Sequence, residues 1–401
     1  MNTYQLGESD LDLTVSLSLD EFRTEWQTYH QSHLLMDFDF LKSIENALPE
    51  KLSPLYALIK KEKEVLGLLY FQVIQFSAGE SLKLEQETDE LPCKMFFDSL
   101  AKFFKKFVAN KVSFKALVSG NLLGSGPFGF YFTQDFDHDK QEELLSLSIE
   151  TLFRYEKSMA DVSVCLIKDF PKGKRLTTAS SGPYASFTEF KVQPSMNLKV
   201  RWNSFEDYLN SMESKYRLRI KKYQQKIASL QLKELTADEI DFYKNEIELL
   251  YKNIQDQAGF NMVHLDQNYF YTLKKLKKND FKFFAYFLDN EMLCFYSYLN
   301  AGDILSAHFL GYNKSKNNHY AIYPNVLCNL IQEAIVNQYQ CIDLGRTALE
   351  IKSSFGAVPE ELFCYVAHRS SWYNRFVPKL LDYLVPEEKW TPRSPFKKHT
   401  H

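Results

Sequence analysis

The sequence predicts a mixed α/β protein assembled from two like halves, and three observations carry that prediction. An apolar strand meander, an amphipathic helix, a short strand and a polar turn with Gly occur in that order twice along the 401 residues. Two capped helices with continuous apolar stripes stand ahead of the second meander. The composition is rich in sheet-filling residues, 33 Phe and 24 Tyr, which bring large buried area and β-propensity. A meander joined through a helix to a further strand gives one mixed sheet per copy. Two copies facing each other leave a crevice, where ligands usually bind.

In chain order, Leu13–Leu17 alternates as a strand. Ser18 with Glu21 three residues on has the capping-box spacing and predicts a helix to Tyr29. A second helix covers Asp39–Ala47. Leu55–Lys60 and Val65–Phe76 are strands, Cys93–Asn110 a helix with a Phe stripe, and Val112–Ser119 the strand that closes the first copy. The loop Gly120–Gly129 gathers four Gly, with Asn121, Ser125 and Tyr131 about its turn. A helix near Gln141–Lys157 and a strand at Val162–Lys168 follow. Pro171–Pro183 is polar and reads as a linker, with Tyr184–Trp202 extended between the halves. The expected units are therefore 1–183, 184–385 and a polar, loosely ordered tail, 386–401.

The second half has the stronger signals. Ser204 caps a helix to about Leu230, whose apolar positions recur every three or four residues. Thr236 with Glu239 forms a capping box for a second helix that ends at Gly259. A third helix spans Gln267–Lys278. The meander is Phe281–Leu288, Met292–Leu299 and Ile304–Tyr312. A helix Pro324–Gln338, a strand Gln340–Leu344 and the loop Gly345–Lys352 complete the copy.

Composition narrows the function. Net charge is −3, so any nucleic acid or membrane would be held by a local patch rather than by an overall field. Only 14 Gly occur, and neither G-x-G-x-x-G after a strand nor G-x-x-x-x-G-K-[ST] is present, which excludes Rossmann and P-loop phosphate sites. Six scattered cysteines without C-x-x-C read as reduced and inert, and His399 and His401 lack a cluster to bind metal. The first eight residues have no signal-peptide character and no run is long enough to span a membrane. The expectation is a cytoplasmic protein.

Two stretches resemble a known family. One is Trp202-Asn203-Ser204-Phe205-Glu206-Asp207-Tyr208-Leu209 with Ser214–Lys222 behind it. The other is Asp343-Leu344-Gly345-Arg346 with Glu350-Ile351-Lys352-Ser353-Ser354-Phe355-Gly356. With the order of elements, they resemble the double-GNAT acyltransferases that include Fem-type aminoacyltransferases and the peptidoglycan biosynthesis or recognition N-acyltransferases. The resemblance implies tandem GNAT-like domains, the first of them degenerate. It also implies transfer of an acyl or aminoacyl group from acyl-CoA or aminoacyl-tRNA to an amine, with a cell-envelope precursor among the acceptors. Two family features are missing. No Q/R-x-x-G-x-G/A turn stands between Tyr312 and Pro324, and no long coiled-coil insertion is evident, so both donors stay open.

Acyl transfer to an amine needs a base, and an anionic donor needs cations or helix ends. In a GNAT sheet the third meander strand borders the cleft, which makes His308 the candidate base; a hydrogen-bonded core His is the alternative. Strand alternation places Ser306, His308 and Leu310 on one face. Lys352 and Arg346, just past a strand end, are candidates for catalysis and substrate contact, with Asp343 fixing Arg346. Tyr320 and Tyr323 precede or open the helix at Pro324, whose N-terminus suits a phosphate. The basic run 215–226 offers Arg217 as the family-matching contact and tRNA as a partner, a solvated face being the bland reading. A non-catalytic recognition module for a cell-wall or lipid precursor is the competing function.

Overall fold

The computed structural model describes residues 1–29, 34–49, 51–77, 113–124, 126, 129–171, 187–255, 265–378 and 390–397. The N-terminal half starts with β1 (Asn2–Gln5) and β2 (Asp12–Ser16), then a 3-10 turn at Leu19–Phe22, α1 (Arg23–Tyr29) and α2 (Phe38–Asn46). The meander is β3 (Leu52–Lys61), β4 (Glu64–Ser77) and β5 (Ser113–Ser119), with the short β6 (Phe130–Phe132) against β4. Helix α3 (His138–Tyr155) crosses to β7 (Val162–Pro171), which pairs parallel to β5. The predicted helix Cys93–Asn110 lies outside the described residues. The first copy is thus aligned differently from expectation. The strand ending at Ser119 is the third of the meander, antiparallel to β4, and the crossover helix comes after it.

The C-terminal half begins with β8 (Thr188–Lys199), in the stretch expected to be extended. Helices α4 (Phe205–Ser211) and α5 (Ser214–Ile227) follow, then the edge strand β9 (Gln231–Glu234). Next come α6 (Ala237–Phe242), α7 (Lys244–Gln255) and α8 (Tyr269–Leu276). The second meander is β10 (Phe281–Leu288), β11 (Glu291–Ala301) and β12 (Ile304–Tyr312). Then come α9 (Lys314–Tyr320), α10 (Ile322–Val336), β13 (Cys341–Asp343), α11 (Leu349–Ser354), β14 (Val358–His368) and α12 (Ser371–Asn374). No helix among the described residues is long and apolar enough to cross a membrane.

All strands join one sheet, with the path β1-β2-β3-β4-β5-β7-β14-β8-β13-β12-β11-β10-β9. From either edge it reads meander, then a parallel strand, and β14 and β8 meet in the middle. Three large apolar clusters cover most of it. One is centred in the N-terminal half, around Leu13, Ile149 and Ile167, and takes in Tyr365 and Ala367 of β14. One belongs to the C-terminal half, around Tyr208, Ile331 and Phe355. The third draws on both, packing Trp26, Phe40 and Tyr70 with Tyr269, Phe283 and Phe295.

Local signals hold where the partner is local. Thr236 accepts from the Glu239 N–H at 3.3 Å and Glu239 returns to the Thr236 N–H at 2.9 Å, a complete capping box. Ser18 differs: its hydroxyl donates to Glu45 of α2 at 3.4 Å, and Glu45 also takes the Leu19 N–H at 3.0 Å, so a distant carboxylate replaces Glu21. The helix predicted from Ser204 to Leu230 breaks at Met212, whose backbone is extended and bridges Phe396. The tail is accordingly ordered over 390–397, with Phe396 5.2 Å from Trp202, ring to ring.

Candidate functional site

Strands β12 and β13 diverge. They pair only over Ile304–Ser306 and Cys341–Asp343, and beyond Ser306 β12 has no described partner on that side. In the N-terminal half, β5 and β7 stay paired from Lys115 to Ser119. The opening in the C-terminal half is a cavity of about 1430 Å³. Its walls are β12, one face of α5, the end of α7, the start of α10 and the loop 344–352, and the N-terminal half contributes Leu35, Leu122–Gly124 and Lys168. Seven cationic side chains line it, Lys168, Lys215, Arg219, Lys226, Arg346, Lys352 and Arg393, against two carboxylates, Asp343 and Glu350. In a chain of net charge −3, that concentration of positive charge selects an anion.

A bulge shapes the strand side. Tyr296 pairs with Leu310 and Tyr298 with Ala307, so Ser297 faces both His308 and Phe309. The Ser297 hydroxyl donates to the Phe309 carbonyl at 3.1 Å and accepts the Phe309 N–H at 3.2 Å. The extra residue undoes the expected alternation. Ala307 and Leu310 pack on the C-terminal cluster, whereas Phe309 joins the shared cluster and His308 makes ring contacts with Phe40, Phe281 and Phe309. His308 Nε2 lies 2.7 Å from the Tyr269 hydroxyl, and burial pushes its imidazole down to about 3. It is neutral near pH 7, with proton affinity far below that of a base poised for that pH.

The loop after β13 carries positive φ at Gly345, Thr347 and Ala348. Such backbone is costly for Thr and Ala and persists only where surroundings hold it. Lys352 supplies part of that hold: buried, it donates to the carbonyls of Gly345 at 3.1 Å and Arg346 at 2.6 Å. Asp343 accepts from the Gly345 N–H at 2.8 Å and from Ser195 at 2.6 Å, so it fixes the turn and not Arg346 as expected. Arg346 instead reaches across to Asp169 at the end of β7, forming an ion pair. Asp169, wholly buried, also meets Lys168 Nζ at 2.6 Å and accepts the Gly126 N–H at 3.0 Å. The sequence reading missed Lys168 and Asp169. They end an apolar strand, and a charged pair there was the available signal.

The helix side differs from expectation too. Residues 314–320 form α9, Ala321 adopts a left-handed φ of 50°, and α10 starts at Ile322, two residues before Pro324. Pro324 has no N–H and Asn317 already takes the Tyr323 N–H at 3.0 Å, which weakens this helix end as a phosphate site. Tyr323 lines the cavity; Tyr320 does not, and packs on the C-terminal cluster. On α5, Lys215, Arg219 and Lys226 face the cavity. Arg217, two positions from Lys215, sits about 200° around the helix and contacts Ser214. Of the predicted residues, His308, Tyr323, Asp343, Arg346 and Lys352 come together; Arg217 and Tyr320 stand apart.

No family model matches the sequence, and no curated protein matches it. Solved structures do resemble the fold. FemX aligns over 90% of this chain and 98% of its own, at 10% identity and a TM-score of 0.48. A tandem GNAT protein from the clavulanic acid biosynthesis pathway covers 90% and 99%, at 8% and 0.48. L-PGS from Bacillus licheniformis covers 86% and 94%, at 8% and 0.46. The likeness is one of fold. The chain itself has a mixed α/β sheet in which each half runs as a meander followed by a parallel strand.

Proposed function

We propose that this chain is an N-acyltransferase. It moves an acyl or aminoacyl group from an anionic activated donor, acyl-CoA or aminoacyl-tRNA, to an amine, with cell-envelope precursors as an acceptor class. The units 1–183 and 184–385 and a cytoplasmic setting belong to the same proposal. One observation carries it: the cation-lined cavity where β12 and β13 part. Lys215, Arg219 and Lys226 form one stripe of α5 suited to several phosphates, and the unpaired side of β12 leaves backbone groups for an acyl carbonyl. In the reaction the amine nitrogen bonds to the acyl carbon, the donor's thiol or hydroxyl leaves, and the amine proton passes to solvent or leaving group. Lys352 acts as a positioning residue that keeps the Gly345–Ala348 loop in place, and Arg346 as an anion contact.

A second reading, a non-catalytic recognition module, has its own observation. His308 is neutral with its affinity for protons depressed, Asp343 is occupied by Ser195 and Gly345, and Glu350 pairs with Arg393. Both carboxylates of the lining are thus engaged within the protein. Melting the protein with acetyl-CoA, longer acyl-CoAs or charged tRNA separates the readings. A donor at about one hundred times its Kd adds about 2.7 kcal/mol of stability, and turnover with an amine panel should follow. Stabilisation without turnover for every donor and acceptor leaves the recognition module; no stabilisation at all removes the donor site.

A further inference from the structure

The cavity does not stay on one side of the sheet. Along β10, Phe281, Phe283 and Ala285 pack into the shared cluster and Phe284 and Tyr286 into the C-terminal one, so the two clusters lie on opposite faces. Helices α5 and α10 reach the cavity from the face of the C-terminal cluster, through Tyr216, Val326 and Leu327. From the other face come Leu35 and Leu123 of the N-terminal half, Tyr251 of α7 and Phe309 of β12. Ile254, one turn along α7, and Leu122, both half-buried, extend that far wall. The two sides connect where β12 leaves β13 after Ser306. A drug-sized ligand fills a pocket of about 300–1,000 Å³; the cavity of about 1430 Å³ holds more than that.

The two sides differ in chemistry. Lys215, Arg219 and Lys226 stand on the α5 side. The far wall has apolar side chains and no carboxylate among the described residues, for Asp343 and Glu350 belong to the loop side and are engaged there. Lys168, behind Leu122–Gly124, gives its ammonium to Asp169 at 2.6 Å and the carbonyls of Asn121 at 2.9 Å and Gly124 at 2.7 Å. An aminoacyl group would bring an ammonium to a wall with nothing to pair it, which is costly. An apolar chain gains with every methylene it removes from water. We propose that the gap between β12 and β13 is a passage for an acyl chain. The α5 stripe holds the phosphates of CoA on one face, and the chain ends on the other against Leu35, Leu122, Leu123, Tyr251, Ile254 and Phe309. A layer packs about 10 Å from a sheet, the length of roughly eight methylenes, so the donor is a medium- or long-chain acyl-CoA. The proposal rests on the transferase reading for the word donor, and it gives the N-terminal half a part in choosing the acyl group.

Calorimetric titration of the full chain with acetyl-, octanoyl- and decanoyl-CoA, below the concentrations at which they form micelles, tests it. Decanoyl-CoA should bind at least a hundredfold more tightly than acetyl-CoA, each added methylene contributing about threefold. Ile254→Glu, a charge placed at the far wall from a half-buried position, should cut the decanoyl-over-acetyl ratio tenfold or more. Leu122→Trp, which fills the same wall without adding charge, should move the preferred chain to a shorter one, and it decides the matter if the first variant does not fold. Equal affinity along the series overturns the passage, as does no binding of any acyl-CoA at about 1 mM. So does a chain-length gain that survives in both variants with the fold intact. The transferase reading fails separately: a chain-length preference that the variants abolish, with no transfer to any amine, sinks the reaction and keeps the passage. Transfer at rates blind to chain length does the reverse.

Discussion

An imidazole ringed by Phe40, Tyr269, Phe281 and Phe309 loses the water that would stabilise its cation, and His308 responds with a pKa of about 3. The unfolded chain binds that proton near pH 6.5. Between pH 6.5 and about 3 the unfolded state therefore holds more protons than the folded one. The stability tied to neutral His308 is complete above pH 6.5 and is lost as pH falls towards 3. His308→Gln removes the titration. Urea unfolding at pH 7.5 and 4.5 should show the wild type losing about 2 kcal/mol more than the variant across that interval. The acid limb of any rate profile near pH 6–7 must then belong to another group. Lys352 poses a different case. Replacing it with Met strips donors from the Gly345 and Arg346 carbonyls, at an expected cost of about 2–3 kcal/mol. The same change should raise KM more than it lowers kcat, since the loop positions substrate.

Elements reveal where sequence signals suffice. The second meander, the capping box at Thr236 and the crossover helix could be read because each depends on neighbours within a few residues. The break at Met212 could not, because it is imposed by pairing with Phe396, far along the chain. The same holds for β14, whose pattern is interrupted by Pro359, Glu360 and Glu361 and whose place is set by β7 and β8. At the site, charge and loop position singled out Arg346, Asp343 and Lys352, but the bulge that turns His308 and the partner Asp169 arise only from tertiary pairing. The tail gives the corresponding test. Phe396 packs tilted against Trp202 and approaches the Tyr208 ring at 6.1 Å, and Gly356, at φ 96°, leaves the room it needs. Phe396→Ala should cost about 2 kcal/mol in chemical denaturation. On β12, a Cβ at Gly311 would meet the α7 backbone at Leu250 and Tyr251 at 2.7 Å. Gly311→Ala should destabilise by about 1–3 kcal/mol, read in chemical denaturation.

Across the whole molecule, charge is partitioned: a net negative chain gathers cations around one cavity. Donor affinity should fall steeply with ionic strength, in proportion to the phosphates contacted. Neutralising Lys215, Arg219 and Lys226 together as Gln should flatten that dependence and weaken donor binding at least tenfold, measured by titration at 50 and 200 mM salt. Arg217→Gln, on the far side of the same helix, should leave both unchanged within about twofold, although its sequence context made it the first candidate.

The position of β14 has a consequence for biosynthesis. Strand β7 presents one bare edge until Val358–His368 emerges, nearly two hundred residues later, and inserts between it and β8. A ribosome that has released the N-terminal half thus holds an incomplete sheet whose open amides invite pairing with other chains. Premature termination before Val358 should yield aggregates rather than a free-standing first half, and chaperone dependence should end once that last central segment clears the exit tunnel.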